Sequence, residues 1–127
     1  MSAKRLFPML SCEDVGASLA FYGELLGGVE EYRFPEDDPV FFTLRLGESE
    51  VGIGGVSKNP IHGLEQRPAT GHRIELCVYV DDVDEVVERA RAAAVPVVVE
   101  PTDQPWGERI AHLMDPDGNI VMLAAES

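Results

Sequence analysis

The sequence QPWGERIAHLMDPDGNIVML, residues 104–123, predicts a β-hairpin near the end of the chain. Its turn is DPDGN, residues 115–119, in which proline fixes φ, glycine can adopt a positive φ, and Asp and Asn side chains can bond to nearby backbone groups. The flanking arms, residues 109–114 and 120–125, are rich in Ile, Val, Leu and Met, as expected for paired strands. Trp106, just before the first arm, is therefore expected at the mouth of whatever the sheet encloses. The alternative is a plain surface turn with Trp106 in the core.

Composition restricts the classes of partner. The chain has 127 residues and is 45% hydrophobic, which suffices for one domain with its own core and is too little for two independent ones. Its 23 acidic residues outnumber 10 Lys and Arg, and the net charge of −13 argues against binding to nucleic acid or anionic membranes. Cationic ligands are electrostatically favoured, although acidity can also serve solubility alone.

The cysteines and the N-terminal residues give expectations about redox state and location. Cys12 and Cys77 are far apart and lack metal-binding spacing, so we expect two small core residues and neither a disulfide nor a zinc site. No stretch is long and apolar enough to cross a membrane, and residues 1–10 lack the apolar core of a signal peptide. The expected location is the cytoplasm.

The first half of the chain predicts a strand, a helix and three further strands. The first strand, residues 6–12, is interrupted by Pro8, as at a sheet edge or at a point of exchange between subunits. Asp14 is expected to cap a helix that ends at a glycine pair, with Ser18 and Glu24 on its solvent side. The later strands are expected at residues 29–34, 40–46 and 51–56.

The same order of elements begins again after a linker, residues 57–71. Residues 73–80 alternate between two faces, one with Ile74, Leu76, Val78 and Val80, the other with Arg73, Glu75, Cys77 and Tyr79. Asp81 or Asp82 is expected to cap a helix that ends before Pro96. A short strand at residues 97–100, a loop at 101–107 and the hairpin complete the second half.

The predicted class is therefore α+β. We expect a single domain, residues 1–127, made of two βαβββ modules at about 4–56 and 72–126. Each module has a four-stranded mixed sheet with one helix on its back, and the two uncovered faces are expected to form cups around a cavity. Ligand-binding residues are then those on the faces opposite the helices.

Three motifs carry a family resemblance: DVGASLAFYGELLG at residues 14–27, VDDV at 80–83 and DPDGN at 115–119. Together they resemble the vicinal oxygen chelate superfamily, which includes glyoxalase I, extradiol dioxygenases, fosfomycin resistance enzymes and bleomycin resistance proteins. The resemblance covers nearly the whole chain outside the linker and implies paired, cupped βαβββ modules. It is specific for the fold and leaves the activity open.

The resemblance also implies where metal ligands would lie. It places the four ligand positions of the metal enzymes at Phe7, at Ile53 or Gly54, at Glu75 and at Met122. A metal catalyst needs about three nitrogen or oxygen protein ligands and an open coordination position. This set provides one carboxylate, so we expect no bound metal and no other cofactor.

Within the superfamily the chain is most similar to the bleomycin resistance proteins, which sequester a drug as dimers without catalysis. The shared features are Pro8, DV at residues 14–15, QPWG at 104–107, the DP and GN of the turn, and AAE at 124–126. The resemblance implies a homodimer, a tryptophan in a ligand groove and an acidic surface that attracts a cationic drug.

The residues expected to contact a ligand are Trp106, Glu75, His112, Phe41, Met122 and Phe7. Trp106 offers a flat face for stacking on heterocycles or cations. Glu75, a carboxylate on a cavity-facing strand, needs a cation, a donor or water, and pairing with Arg73 or Arg109 is the structural alternative. His112 is expected on the cavity side, as a hydrogen-bonded wall residue more than a base.

Two classes of function follow from these patterns. The first is a binding protein that sequesters a flat or cationic natural product by stacking and charge, with no catalytic residue. The second is an enzyme, either a metal-dependent lyase or dioxygenase, or a metal-free acid–base catalyst that uses Glu75 and His112.

Overall fold

The described residues, 4–68, 70–72 and 74–127 of this computed structural model, form eight strands, two α-helices and one π-helix. In chain order these are β1 (Met9–Cys12), α1 (Val15–Leu19), the π-helix Ala20–Leu25, β2 (Val29–Phe34), β3 (Phe41–Leu46), β4 (Ser49–Gly55), β5 (Glu75–Tyr79), α2 (Val83–Ala92), β6 (Val97–Asp103), β7 (Glu108–Met114) and β8 (Ile120–Glu126). The chain divides into two compact units, unit 1 (Met1–Pro68) and unit 2 (Ala69–Ser127).

Each unit has one mixed, four-stranded sheet with the same topology. The strand order is β1-β4-β3-β2 in unit 1 and β5-β8-β7-β6 in unit 2. In both sheets the strand before the helix pairs in parallel with the last strand, and the other pairs are antiparallel. The predicted α+β class with two βαβββ modules is confirmed. The assignment of residues 1–127 to a single domain stays a prediction.

In unit 1 the helical segment starts at Asp14, whose carboxylate accepts a hydrogen bond of 3.0 Å from the backbone N–H of Ala17. The chain then continues from α1 into the π-helix, and Gly27 at φ +79° provides the left-handed conformation that ends it. The core of the unit consists of buried side chains from both layers: Phe21, Tyr22, Leu25, Phe42, Leu44, Val51 and Ile53.

Ser18 was placed wrongly on the solvent side of this helix, since it is fully buried. Counting from Ser18, the buried Phe21, Tyr22 and Leu25 follow at i+3, i+4 and i+7, which is the spacing of one helical face. Ser18 is therefore buried because it lies on the core-facing side of the helix, although its side chain is polar. Glu24 is exposed, as predicted.

In unit 2 the second helix is capped by Asp82, whose carboxylate accepts a 3.1 Å hydrogen bond from the backbone N–H of Glu85. Arg109 on β7 donates to Asp84 of α2 at 2.7 and 3.1 Å and to Asp103 at 3.2 Å, so one guanidinium joins the helix to the sheet. The buried apolar residues between these layers are Val83, Val86, Val87, Ala90, Ala111, Leu113, Val121 and Leu123.

Three predicted boundaries or exposures require correction. The first strand begins at Met9 and not at residue 6, so Phe7 precedes it. The predicted loop at 101–107 is shorter at its start, because β6 extends to Asp103 through two irregularities in its pairing with β7. Cys12 is buried as expected, whereas Cys77 is exposed, because it alternates with the half-buried Leu76 and Val78 on β5.

The turn after β7 has the positive-φ glycine and the side-chain hydrogen bonds that its sequence predicts. Gly118 has φ +84°, and Asp115 is only 4% exposed. The Asp115 carboxylate accepts from the backbone N–H groups of Asp117 and Asn119 and from the Asn119 side-chain amide, at 2.8 to 2.9 Å. The hairpin of β7 and β8 is therefore fixed locally.

Within the described part of the chain, no helix is long and apolar enough to cross a membrane.

Candidate functional site

The uncovered face of the unit 1 sheet can be identified from β4. A Cβ added at Gly55 would lie 3.6 Å from Val15 of α1, so Gly55 and Ile53, two residues earlier, face the helix. Ile53 is fully buried. Of the two candidates for the ligand position on β4, Gly54 therefore lies on the uncovered face and Ile53 does not. Gly54 has no side chain that could bind a metal.

Phe41 dominates the uncovered face of unit 1. Its ring lies over Gly52 and Gly54, where an added Cβ would come within 3.1 and 3.3 Å of ring carbons. Tyr32 meets the Phe41 ring edge-on, with 6.4 Å between ring centroids. Phe7 is half-buried before β1, with the Arg5 guanidinium 5.2 Å from its ring centroid. Unit 1 thus offers an aromatic surface without a carboxylate at the predicted positions.

The open face of unit 2 is the side of its sheet away from α2. Because Arg109 reaches α2, alternation places Glu108, Ile110, His112 and Met114 on the opposite side. Cross-strand pairing adds Met122 and Cys77 beside His112, and Ile120 and Glu75 beside Met114, to this face. The predicted residues Glu75, His112 and Met122 therefore share one surface.

Glu75 and His112 are close neighbours on the open face of unit 2. Glu75 Oε2 lies 3.4 Å from His112 Nε2, and their side chains are 54% and 18% exposed. His112 Nδ1 is buried and has no hydrogen-bond partner among the described residues. An open pocket of about 230 Å³ borders the pair on the Glu75 side and is lined by His72, Ile74, Glu75 and Ile120.

The alternative to ligand binding by Glu75 is an ion pair with Arg73 or Arg109. Arg109 is bound to Asp84 and Asp103 instead of Glu75. Arg73 lies outside the described residues.

Trp106 belongs to a cluster with Tyr79 and Glu108. The Trp106 indole N–H donates to Glu108 Oε1 at 2.8 Å, and the Tyr79 hydroxyl donates to Glu108 Oε2 at 2.7 Å. Trp106 is 62% exposed and Tyr79 67% exposed, so two aromatic faces remain accessible around one carboxylate. We call these three residues the aromatic–carboxylate cluster.

The hydrogen bonds of the cluster also set its charge. Donation from Tyr79, and then from Trp106, holds the pKa of Glu108 below its usual value. The same bond to Glu108 raises the pKa of the Tyr79 phenol. At neutral pH the cluster is therefore an ionised carboxylate held between two neutral aromatic side chains.

The predicted site residues fall into three groups. Glu75, His112 and Met122 lie together, Trp106 lies in the aromatic–carboxylate cluster of the same unit, and Phe41 and Phe7 lie in unit 1. Sequence reasoning missed Glu108 and Tyr79. The signals were available, because Glu108 is two residues from Trp106 and Tyr79 alternates onto the same face as Glu75.

Metal binding is expected to be absent. In the residues that the structure describes, no three His, Cys, Asp or Glu side chains are grouped so that they could hold a metal ion. Protein purified without chelator should therefore contain no stoichiometric Zn, Ni, Fe or Mn by elemental analysis. About one tightly held metal per chain, lost in Glu75→Ala but retained in Glu85→Ala on α2, would contradict this prediction.

Residues 6–123 match the sequence model of the family described as Glyoxalase/Bleomycin resistance protein/Dioxygenase superfamily. An uncharacterized protein of Mycobacterium bovis is 29% identical over 118 residues, which are 90% of this chain and 78% of that protein.

Solved structures show the same fold. A glyoxalase/bleomycin resistance protein/dioxygenase family enzyme from Burkholderia phytofirmans superposes with a TM-score of 0.80 at 25% identity, over 93% of this chain and 94% of the other. A lactoylglutathione lyase from Agrobacterium tumefaciens superposes with a TM-score of 0.68 at 23% identity, over 97% and 94% of the two chains. The similarity to the lyase shows the fold alone.

Proposed function

Because the chain belongs to the Glyoxalase/Bleomycin resistance protein/Dioxygenase superfamily, we propose that it binds and sequesters a small molecule without transforming it. The ligand class is an antibiotic or another aromatic natural product with a cationic group. In this proposal the protein is cytoplasmic and binds no cofactor, nucleic acid or membrane.

The aromatic–carboxylate cluster is the observation that carries this proposal. Exposed indole and phenol rings can stack on a flat ligand, and a cation over such a ring gains roughly 0.5 to 2 kcal/mol. Glu108 between them remains ionised at neutral pH and attracts the same cation. The net charge of −13 adds a long-range attraction for cations at low ionic strength.

A thermal-shift screen tests the proposal directly. The probes are metal-free bleomycin, other cationic aromatic antibiotics, and a neutral analogue of each where one exists. A ligand present at a hundred times its Kd stabilises the folded protein by about 2.7 kcal/mol, which is a clear shift of the melting temperature. The proposal predicts that cationic aromatic compounds raise the melting temperature, that neutral analogues raise it less, and that added salt reduces the difference between them. No shift with any cationic aromatic probe would contradict it.

We also propose a homodimer. Unit 1 exposes large apolar side chains, with Met9 66%, Tyr32 51% and Phe34 60% accessible, which is the kind of surface that subunit contacts cover. Light scattering at micromolar concentration should therefore give about twice the chain mass of 13.9 kDa. A particle of 13.9 kDa under these conditions would exclude the dimer.

The catalytic alternative rests on Glu75 and His112. A substrate in the pocket lined by Glu75 could exchange a proton with its carboxylate. His112 could take part in this transfer, because its Nε2 lies 3.4 Å from Glu75 Oε2. A lyase or dioxygenase assay, run with and without added divalent metal, distinguishes the two functions. Turnover that disappears in both Glu75→Gln and His112→Gln would favour the enzyme.

A further inference from the structure

The open face of unit 2 carries a second carboxylate, that of Glu75, outside the aromatic–carboxylate cluster. The Glu75 carboxylate reaches His112 on β7, and the Glu108 carboxylate reaches Tyr79 on β5. Glu75 and Tyr79 are four residues apart on β5, and His112 and Glu108 are four residues apart on β7. At roughly 3.3 Å per residue, each of these two separations is about 13 Å along its strand, so the two carboxylates lie well apart on the same face.

The surface between the carboxylates is mainly apolar. One row across the sheet contains Cys77, Met122 and His112, and the next open-face row contains Tyr79, Ala124 and Ile110. Ile110 and Ala124 are buried, and Met122 is half-buried. The two carboxylates therefore stand at opposite ends of an apolar strip.

The charges at both ends remain available to a ligand. Within the described residues, these rows contain no lysine or arginine, and Arg109 is on the other side of the sheet with Asp84. Partial burial, and then the charges of Glu108 and Glu75, raise the pKa of the Cys77 thiol, which lies on the strip. The electrostatic potential of both carboxylates thus extends over the strip.

We propose that this face binds an elongated, flat molecule with a cationic group at each end, one group at Glu108 between Trp106 and Tyr79, and the other at Glu75. This inference rests on the proposed function and adds to it a ligand class, the aromatic dication. The apolar middle of the ligand would cover the half-buried Met122, and its charged ends would replace water at the two carboxylates.

Stilbamidine, a flat stilbene with an amidinium at each end, is a suitable probe. Its matched control is the analogue in which one amidinium is replaced by a neutral carboxamide, which keeps the length and the aromatic area. Calorimetric titration should show that stilbamidine binds about tenfold tighter or more, because its second amidinium makes a charge-assisted contact with Glu75 that the carboxamide cannot make. Glu75→Gln should remove this difference and leave binding of the carboxamide unchanged. Glu85→Gln, which removes the same charge on α2, should bind both compounds as the wild type does.

The outcomes separate this inference from the proposed function. If both compounds bind equally and Glu75→Gln changes neither, one cation at the aromatic–carboxylate cluster suffices, so the dication is excluded while the proposed function stands. If neither compound binds, the proposed preference for aromatic cations fails, and the dication fails with it.

Discussion

Asp115→Ala should lower the free energy of unfolding by about 3 kcal/mol, because three donors lose a charged and nearly buried acceptor. These donors are the backbone N–H groups of Asp117 and Asn119 and the side-chain amide of Asn119. The turn connects β7 and β8, the two central strands of the unit 2 sheet, so its loss affects the strands that carry the open face. Urea denaturation followed by circular dichroism measures the change.

Two control variants identify the cause. Asp115→Asn keeps the shape and one oxygen acceptor, so its destabilisation should be smaller than that of Asp115→Ala. Asp117→Ala changes an exposed carboxylate of the same turn and should cost about 0.5 kcal/mol or less. If Asp115→Ala is no more destabilising than Asp117→Ala, the carboxylate network does not hold the hairpin.

Trp106→Ala should weaken the binding of a cationic aromatic ligand by about tenfold or more and leave the fold intact. The loss removes a stacking surface for the cation and the indole N–H that positions Glu108 at 2.8 Å. Since Trp106 is 62% exposed, its truncation removes little core packing. Calorimetric titration gives the change in Kd, and the urea midpoint checks that the fold is retained.

The two contributions of Trp106 can be separated. Trp106→Phe retains an aromatic face but no N–H, and Tyr79→Phe retains its ring but no hydroxyl donor. Both variants should bind more weakly than wild type and more strongly than Trp106→Ala. Wild-type affinity in Trp106→Ala, together with unchanged tryptophan fluorescence when ligand is added to the wild type, would remove the main support for ligand binding at this cluster.

The fold could be predicted from the sequence where local chemistry is sufficient. DPDGN contains its own acceptor, donors and left-handed glycine, so the hairpin needs no distant residue to define it. The cap residues Asp14 and Asp82 bond within three positions of themselves, and they mark the starts of both helical segments. The order of elements in each half follows from these local signals.

Other features depend on pairing between strands and could not be predicted in the same way. The extension of β6 to Asp103 uses two irregularities in its register with β7, which no short pattern encodes. The meeting of Tyr79 and Glu108 joins residues that are 29 positions apart. Trp106 was selected for its aromatic face, its place in the loop before β7 and the family resemblance, whereas its hydrogen bond to Glu108 became evident only from the structure.

The ring of Phe41 above Gly52 and Gly54 limits how this chain could acquire a metal site by mutation. Any side chain at Gly54 would begin with a Cβ 3.3 Å from the Phe41 ring, and one at Gly52 would begin 3.1 Å from it. A glutamate introduced at Gly54, one of the two positions at which the resemblance to the metal enzymes implies a ligand, therefore competes with the aromatic ring for the same space. A mutational path from this protein to a relative that binds metal at this strand therefore has to shift the Phe41 ring or replace Phe41 by a smaller residue.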